Sequence, residues 1–233
     1  KPVAPSAHQG RLAPVSHRAT PRATVLLTGF APFGGETLNS SWEAVQALQG
    51  EQIAGHTVVC AELPTVFYVS LEQLMNLVRE NHPALVICVG QASNRQAISL
   101  ERIAINIADA RIPDNAGAQP IDKPVVSGAQ PAYFSSLPIK AMLRDLSAAG
   151  LPAEISQSAG TFVCNHLFYG LMHDLERRRA LTGVRGGFIH LPALGGAGTP
   201  AMALQDMQQG LRIAIASALA TTRDVKLAAG ATA

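Results

Sequence analysis

The chain has 233 residues, of which 48% are hydrophobic and 15% charged, and its formal net charge is +2. This is enough apolar material for a packed core, and no run of about 18 apolar residues predicts a membrane span. Residues 1–22 hold four cations and no acid, so removing their +4 from +2 leaves −2. That balance argues against a nucleic-acid-binding protein, which needs a clustered basic face.

The two ends differ in composition from the body. Residues 1–23 contain four prolines and no apolar periodicity, which predicts a disordered N-terminal extension and not a secretory signal. Residues 224–233 read as a C-terminal tail, so 24–223 are expected to form one catalytic α/β domain. Three cysteines without a dense framework indicate a reducing compartment, and we expect a cytoplasmic protein.

Strand and helix signals alternate along the body. Ser40 and Glu43 have the spacing of a capping box, with Ser40 as the expected N-cap. Residues 111–130 are rich in Pro, Gly and Asp, and this loop is long enough to indicate a function or an interface. The Thr199-Pro200 pair is expected to open the last helix. Strands are predicted at 24–30, 56–63, 84–90, 98–108, 153–158 and 186–191. A first helix is predicted to begin at residue 40, and further helices are predicted at 65–81, 138–149, 163–181 and 199–222.

This alternation predicts a single-domain α/β/α sandwich with a mostly parallel twisted sheet and helices on both faces. In such sheets, sites form beyond the carboxyl ends of the strands. The segments 29–35, 90–95, 158–164 and 190–194 all follow predicted strands, so we expect them to converge.

Cys164 is the strongest candidate for a nucleophile. It lies in the first turn of a predicted helix, where free N–H groups and the helix dipole favour a thiolate. The alternative is a small buried hydrophobic residue, which is the usual role of a free cysteine. Cys60 and Cys88 lie within apolar strands and are interpreted as packing residues.

A cysteine nucleophile needs a base and an orienting acceptor. His190 ends a predicted strand and can enter the cleft, whereas His166 is about 200° around the helix from Cys164 and should point elsewhere. Glu101 is a carboxylate in an otherwise apolar run, which requires a partner such as His190. Arg95 and Arg111 flank that run, and each is expected either to support an oxyanion or to form a structural ion pair.

Five motifs together resemble the pyroglutamyl peptidase type I (pyrrolidone-carboxylate peptidase) family from about Val25 to Arg223. They are Thr28-Gly-Phe-Ala-Pro-Phe-Gly-Gly35 with Asn39, Gly90-Gln91 with Arg95 and Leu100-Glu-Arg-Ile-Ala-Ile-Asn106, Ala110-Arg-Ile-Pro-Asp-Asn115, Gly160-Thr-Phe-Val-Cys-Asn-His166, and Gly187-Phe-Ile-His-Leu-Pro192. The cysteine motif is the most specific of them. The extension before Thr24 departs from the family's usual start.

The resemblance implies a cysteine exopeptidase with the triad Cys164, His190 and Glu101, which cleaves after an N-terminal pyroglutamyl residue through a thioester. It also implies peptide substrates, a homotetramer, and no cofactor or metal. The implied pocket has apolar walls and neutral amides, with no carboxylate to receive an ammonium group. Its residues would be Phe30, Phe33, Phe162, Val163 and Ile112, with polar contacts from Asn39 and Gln91.

Two other readings stay open. A glutamine amidohydrolase also uses Cys, His and Glu, but such enzymes resemble Gly-x-Cys-x-Gly at the nucleophile, and here Val163 and Asn165 flank the cysteine. Activity on free glutamine would favour it. A non-enzymatic α/β small-molecule binding module predicts that Cys164 reacts with iodoacetamide no faster than Cys60 or Cys88.

Overall fold

The structure is a computed structural model that describes residues 23–194 and 201–231. The predicted N-terminal extension and the Thr199-Pro200 pair lie outside the described residues. The strands are β1 Thr24–Phe30, β2 Gln52–Ile53, β3 His56–Leu63, β4 Leu85–Gln91, β5 Ile98–Glu101, β6 Ile103–Ile105, β7 Ala132–Phe134, β8 Ala153–Ser156, β9 Arg185–Leu191, β10 Ala193–Leu194 and β11 Ala201–Met202. The α-helices are α1 Ser40–Gln46, α2 Val69–Asn81, α3 Ile139–Ala148, α4 Val163–Arg177 and α5 Leu204–Ala220, and a 3₁₀ turn covers Arg179–Leu181.

Seven strands form the main sheet in the order β2-β3-β1-β4-β9-β5-β8. The β1–β3, β1–β4, β4–β9 and β5–β8 pairs are parallel, whereas β2–β3 and β5–β9 are antiparallel. Strands β6–β7 and β10–β11 form two small separate sheets. The mostly parallel sheet predicted from the sequence is therefore confirmed, with β5 reversed relative to β9.

Helices cover both faces of this sheet, as predicted. Side chains alternate along a strand, so β1 sends Leu26 to one face and Val25 and Leu27 to the other. The Leu26 face packs with helices α2 and α4. The opposite face packs with α1, α3 and α5. Within the described residues, no helix is long and apolar enough to span a bilayer.

Several predicted boundaries were wrong. The N-cap of α1 is Asn39, not Ser40, because the Asn39 Oδ1 accepts the Ser41 N–H at 3.0 Å. Helix α2 begins four residues later than predicted, because Tyr68 has a positive φ of 63° and breaks the helical path. Helix α5 begins at Leu204, after the unpredicted strand β11 and the extended residue Ala203.

The C-terminal tail makes defined contacts with the body although it has no helix or strand in its described part. The Asp224 carboxylate accepts the backbone N–H groups of Lys140 at 3.1 Å and Ala141 at 2.9 Å, at the start of α3. Arg102 donates to the Ala229 carbonyl at 3.2 Å. A carboxylate at a helix N-terminus satisfies free N–H groups and complements the dipole, so Asp224 stabilises α3.

Candidate active site

Three chain segments bring the candidate triad together. Glu101 is the last residue of β5, His190 is the penultimate residue of β9, and Cys164 is the second residue of α4. Strand β5 pairs antiparallel with β9, with Ser99 opposite His190. Sheet pairing thus places the glutamate and the histidine side by side, at the carboxyl end of β9 where sites form in α/β sheets.

His190 and Glu101 form a buried hydrogen-bonded pair. The His190 Nδ1 lies 2.8 Å from the Glu101 Oε1, and the two residues are 4% and 0% exposed. An ionised carboxylate only accepts, so the Nδ1 of a neutral imidazole carries the proton. The Nε2 is then the acceptor, which is the tautomer a general base requires.

The Cys164 side chain packs against β4, the strand next to the one that carries His190. A Cβ added to Gly90 would be 3.0 Å from the Cys164 Sγ, so the sulfur packs against the backbone of β4. Gly90 is the register partner of His190 in the neighbouring strand. Cys164 and His190 also line the same cavity. The sulfur therefore packs on β4, next to the strand that carries His190, and both residues line the same cavity.

The thiol is not the thiolate that the sequence led us to expect. Desolvation by burial, followed by the negative charge of Glu101, raises the pKa of Cys164 to about 12, and Arg95 opposes this. Burial likewise raises the pKa of Cys60 and of Cys88 to about 12. The expectation of a lowered pKa was wrong because the sulfur, although partly exposed to the cavity, is surrounded mainly by protein. Cys164 differs from Cys60 and Cys88 in its surroundings, because it lines a cavity together with His190.

The start of α4 offers free backbone donors next to the sulfur. Phe162 occupies the N-cap position without a side-chain cap. Within the described part of the chain, His166 is the first residue of this helix whose N–H reaches a helix carbonyl, that of Phe162 at 3.1 Å. The N–H groups of Val163, Cys164 and Asn165 therefore remain for a ligand or water. The Asn165 side chain fixes this turn to β6 through the Ile105 N–H and C=O.

A cavity of about 420 Å³ opens beside Cys164; we call it the Cys164 cavity. Its lining residues are Phe33, Gln91, Asn94, Asp109, Arg111, Ile112, Ala159, Gly160, Thr161, Phe162, Cys164 and His190. The rings of Phe33 and Phe162 are 6.2 Å apart and form an apolar wall. Four residues proposed for binding from the sequence, Phe33, Gln91, Ile112 and Phe162, thus meet at this cavity.

Three other predicted binding residues, Phe30, Val163 and Asn39, are buried and do not line the cavity. Phe30 is 2% exposed and its ring packs on Phe188, and Val163 is fully buried in the core. Asn39 is 2% exposed, and its amide is used within the protein as the α1 cap and as a donor to the Ala31 carbonyl at 3.2 Å. These three residues are therefore not among those that line the cavity, whereas the resemblance implied direct contact with substrate.

The two arginines have different surroundings. Arg95 bonds the Glu101 Oε1 at 2.7 Å and the Ser158 carbonyl at 2.9 Å, so it supports the triad from outside the cavity lining. Arg111 is exposed and lines the cavity. Asp109, also exposed, is a lining residue too, whereas the resemblance implied a pocket that offers no carboxylate.

Five lining residues were not proposed as site residues from the sequence: Asn94, Asp109, Ala159, Gly160 and Thr161. All but Asp109 fall in segments that were expected to converge because they follow strands. Asp109 carried no such signal beyond standing two residues before Arg111. It is held by Thr161, whose hydroxyl donates to the Asp109 carbonyl at 2.7 Å.

His166 is buried away from the cavity, as its helical angle predicted. Its ring lies against Phe67 at 5.5 Å and Tyr68 at 4.6 Å, and neither ring nitrogen has a hydrogen-bond partner in the described residues. Burial lowers the pKa of His166 to about 4. Within the described residues, no cluster of three His, Cys, Asp or Glu side chains is placed to hold a metal ion.

Comparison with known proteins agrees with this geometry. The protein-family model described as pyroglutamyl peptidase matches residues 23–221 of this chain. The pyrrolidone-carboxylate peptidase of Cupriavidus taiwanensis is 55% identical over 208 residues, covering 87% of this chain and 96% of that protein. The Klebsiella pneumoniae protein of the same name is 52% identical over 215 residues, covering 90% and 99%.

Solved structures give the same assignment. The crystal structure of Bacillus amyloliquefaciens pyroglutamyl peptidase I superposes with a TM-score of 0.84 at 45% identity, covering 87% of this chain and all of that one. A mutant pyrrolidone carboxyl peptidase from P. furiosus gives a TM-score of 0.81 at 39% identity, covering 84% and 98%. A family model across most of the chain and relatives above half identity leave one assignment: the chain belongs to the pyroglutamyl peptidase family.

Proposed function

We propose that the protein is a cysteine exopeptidase that hydrolyses the bond after an N-terminal pyroglutamyl residue of peptides. The observation that carries this is the buried His190–Glu101 pair beside the Cys164 sulfur, in a chain of this family. We assign Cys164 as nucleophile, His190 as general base and acid, and Glu101 as the acceptor that orients the imidazole.

The resting thiol is neutral because burial raises its pKa, so attack and proton transfer are coupled. The His190 Nε2 takes the thiol proton as sulfur bonds to the pyroglutamyl carbonyl carbon, and the carbonyl electron pair moves onto oxygen. We assign the support of that oxyanion to the N–H groups at the start of α4, with Arg111 of the cavity lining as the further candidate donor. His190 then protonates the leaving amine, the C–N bond breaks and a thioester remains. Water then attacks the thioester carbon with His190 as base, the C–S bond breaks to release pyroglutamate, and the proton returns from His190 to the Cys164 sulfur.

The lining of the Cys164 cavity supports a lactam as the bound group. A pyroglutamyl ring is neutral and largely apolar, with one N–H donor and one carbonyl acceptor. Phe33, Phe162 and Ile112 provide apolar walls, and Gln91 a neutral amide. The Gln91 Oε1 accepts the Ser40 N–H at 2.7 Å, which fixes the orientation of this amide.

We also propose the setting of this activity. The catalytic unit is residues 24–223, between the extension 1–23 and the tail 224–233. The cytoplasm suits three cysteines that are all unpaired. A homotetramer is proposed from the resemblance alone. The mechanism needs no cofactor.

The test is release of the anilide from a pyroglutamyl anilide. Wild type should turn over, prior iodoacetamide treatment should abolish turnover, and Cys164→Ala should be inactive while Cys88→Ala keeps activity. Free glutamine is the parallel substrate for the amidohydrolase alternative. Activity on glutamine without anilide release, or an active Cys164→Ala protein, would overturn the proposal.

A further inference from the structure

Arg95 joins the two halves of the site through one guanidinium group. Its Nη1 donates to the Glu101 Oε1 at 2.7 Å, and its Nη2 donates to the Ser158 carbonyl at 2.9 Å. Ser158 begins the segment that runs through the cavity wall to Cys164. The backbone of Arg95 is held in a turn, because its N–H donates to the Ala92 carbonyl at 3.0 Å. A planar fork suits two acceptors at fixed positions.

The Glu101 carboxylate depends on this arginine for its charge balance. One oxygen, Oε1, accepts from both Arg95 and His190, while the other, Oε2, is buried without a partner in the described part of the chain. The Glu101 side chain is fully buried, and Arg95, at 21% exposure, is its permanently charged partner. A buried carboxylate that loses its cationic partner stabilises the protonated, positively charged form of a neighbouring base more strongly.

We propose that Arg95 is a positioning residue for the catalytic base, which neutralises Glu101 and thereby keeps the imidazole of His190 in its proton-accepting form. The proposal rests on the proposed function. Without Arg95, the carboxylate would stabilise the imidazolium form of His190 instead. A protonated Nε2 cannot take the thiol proton, so the enzyme would lose activity at a higher pH than wild type as the solution becomes more acidic.

Other groups near His190 compete weakly with this effect. The Phe188 ring, at 4.8 Å from the imidazole, carries no charge. Cys164 and Cys88 are thiols held neutral by burial. Asp109 and Arg111 line the cavity with opposite charges but are exposed, so solvent screens them. The Glu154 carboxylate, which accepts the Ser99 hydroxyl at 2.7 Å opposite His190 in the sheet, is exposed and screened as well. Glu101 is therefore the buried charge in contact with the imidazole, and Arg95 is its cationic partner.

The experiment compares Arg95→Gln, which removes the charge, with Arg95→Lys, which keeps it. The matched control is Arg212→Gln, because Arg212 forms an ion pair of the same type with Glu51 at 2.7 Å outside the cavity lining. One readout is the pH dependence of kcat/KM for a pyroglutamyl anilide. The other is the NMR titration of His190 in the Cys164→Ala background, which needs no activity.

For Arg95→Gln we expect the acid limb of kcat/KM, and the His190 titration, to move up by about one pH unit. For Arg95→Lys we expect a shift below about 0.3 unit with a raised KM, because an ammonium supplies the charge but not the planar two-point contact. Arg212→Gln should match wild type. An unchanged His190 titration in folded Arg95→Gln would overturn the proposal.

If Arg95→Gln does not fold, Arg95→Met, which also removes the charge but keeps a long side chain, decides: an upward shift of the His190 titration supports the charge role, and an unchanged titration contradicts it. Failure of the proposed function is distinguishable from failure of this inference. A wild type that does not cleave the anilide removes the function, whereas the NMR titration still reports whether Arg95 sets the protonation of His190.

Discussion

The Cys164 sulfur packs directly on the backbone of Gly90, in the strand that pairs with the His190 strand. A Cβ at Gly90 would be 3.0 Å from the Cys164 Sγ and 2.9 Å from the Phe188 Cζ. Both distances are shorter than carbon contacts normally allow. Glycine at this position is therefore what lets the nucleophile lie against the sheet beside its base.

Gly90→Ala should displace the sulfur and the Phe188 ring. We expect kcat/KM to fall at least about tenfold and unfolding to become easier by about 1–3 kcal/mol, the usual cost of overpacking. Steady-state kinetics and thermal melting measure the two effects. Gly230→Ala is the control, since a Cβ there meets nothing within 4 Å. Wild-type kinetics and an unchanged melting temperature in Gly90→Ala would contradict this packing.

Glu101→Gln should fold but turn over slowly. The amide can donate to the His190 Nδ1 and hold the tautomer whose Nε2 carries the proton, which is wrong for a base. We expect kcat to fall by two or more orders of magnitude, about the size of a general-base contribution. The measurement is kcat with circular dichroism as the folding check. A folded variant with wild-type kcat would mean that the glutamate only stabilises the fold.

The pocket should reject an N-terminal proline. Its ring has the same size as the lactam but carries a charged amine and lacks the ring carbonyl, so a pocket donor is left unpaired at about 1–3 kcal/mol. We expect kcat/KM for the prolyl anilide to be at least about a hundredfold lower. Asp109 lies among the lining residues and is the one carboxylate there that can favour the prolyl cation.

Two variants separate the contributions to this selectivity. Phe33→Ala removes half of the ring pair with Phe162 and should raise KM for the pyroglutamyl anilide. Asp109→Asn should lower the residual prolyl activity further and leave pyroglutamyl cleavage nearly unchanged. Similar rates of wild type on the two anilides would rule out the lactam pocket even if the triad stands.

His166 should make the fold sensitive to acid. Its pKa is lowered from 6.5 to about 4 in the folded protein, so below pH 6.5 the unfolded chain binds a proton that the native state does not. This contribution to stability is present above pH 6.5 and is lost as pH falls toward 4, to a total of about 3 kcal/mol. His166→Leu should remove that part of the pH dependence. Urea unfolding of both proteins at pH 7 and pH 4.5 measures it, and parallel losses would contradict the assignment.

The three residues proposed as the triad stand out in the sequence because each breaks a local pattern, and the structure brings Glu101 and His190 into hydrogen-bond contact. Glu101 is an acid inside an apolar run, His190 a polar residue at the end of a buried strand, and Cys164 a thiol at a helix start. Strand order and the antiparallel β5–β9 pair were not predictable, because hydrophobic periodicity identifies strands but not their partners.

The protonation of Cys164 was predicted with the wrong sign because a helix start is a local feature, whereas desolvation depends on the whole tertiary environment. Asn39 shows the same limit. Its sequence position fits either a substrate contact or a helix cap, and only the three-dimensional contacts with Ser41 and Ala31 reveal the cap. Helix α5 begins late because the preceding residues pair with β10, a non-local contact.

The central claim, that Cys164 is the nucleophile of a pyroglutamyl pocket, is tested most directly by an affinity label. A pyroglutamyl chloromethyl ketone carries the lactam ring, a ketone at the position of the scissile carbonyl and an alkylating carbon at the position of the leaving nitrogen, from which the thiol displaces chloride; the prolyl analogue is its control. We expect complete loss of activity with one label per chain, found by peptide mapping on Cys164, and much slower loss with the prolyl reagent. Label on Cys60 or Cys88 accompanied by loss of activity, or full labelling of Cys164 with activity retained, would contradict the claim.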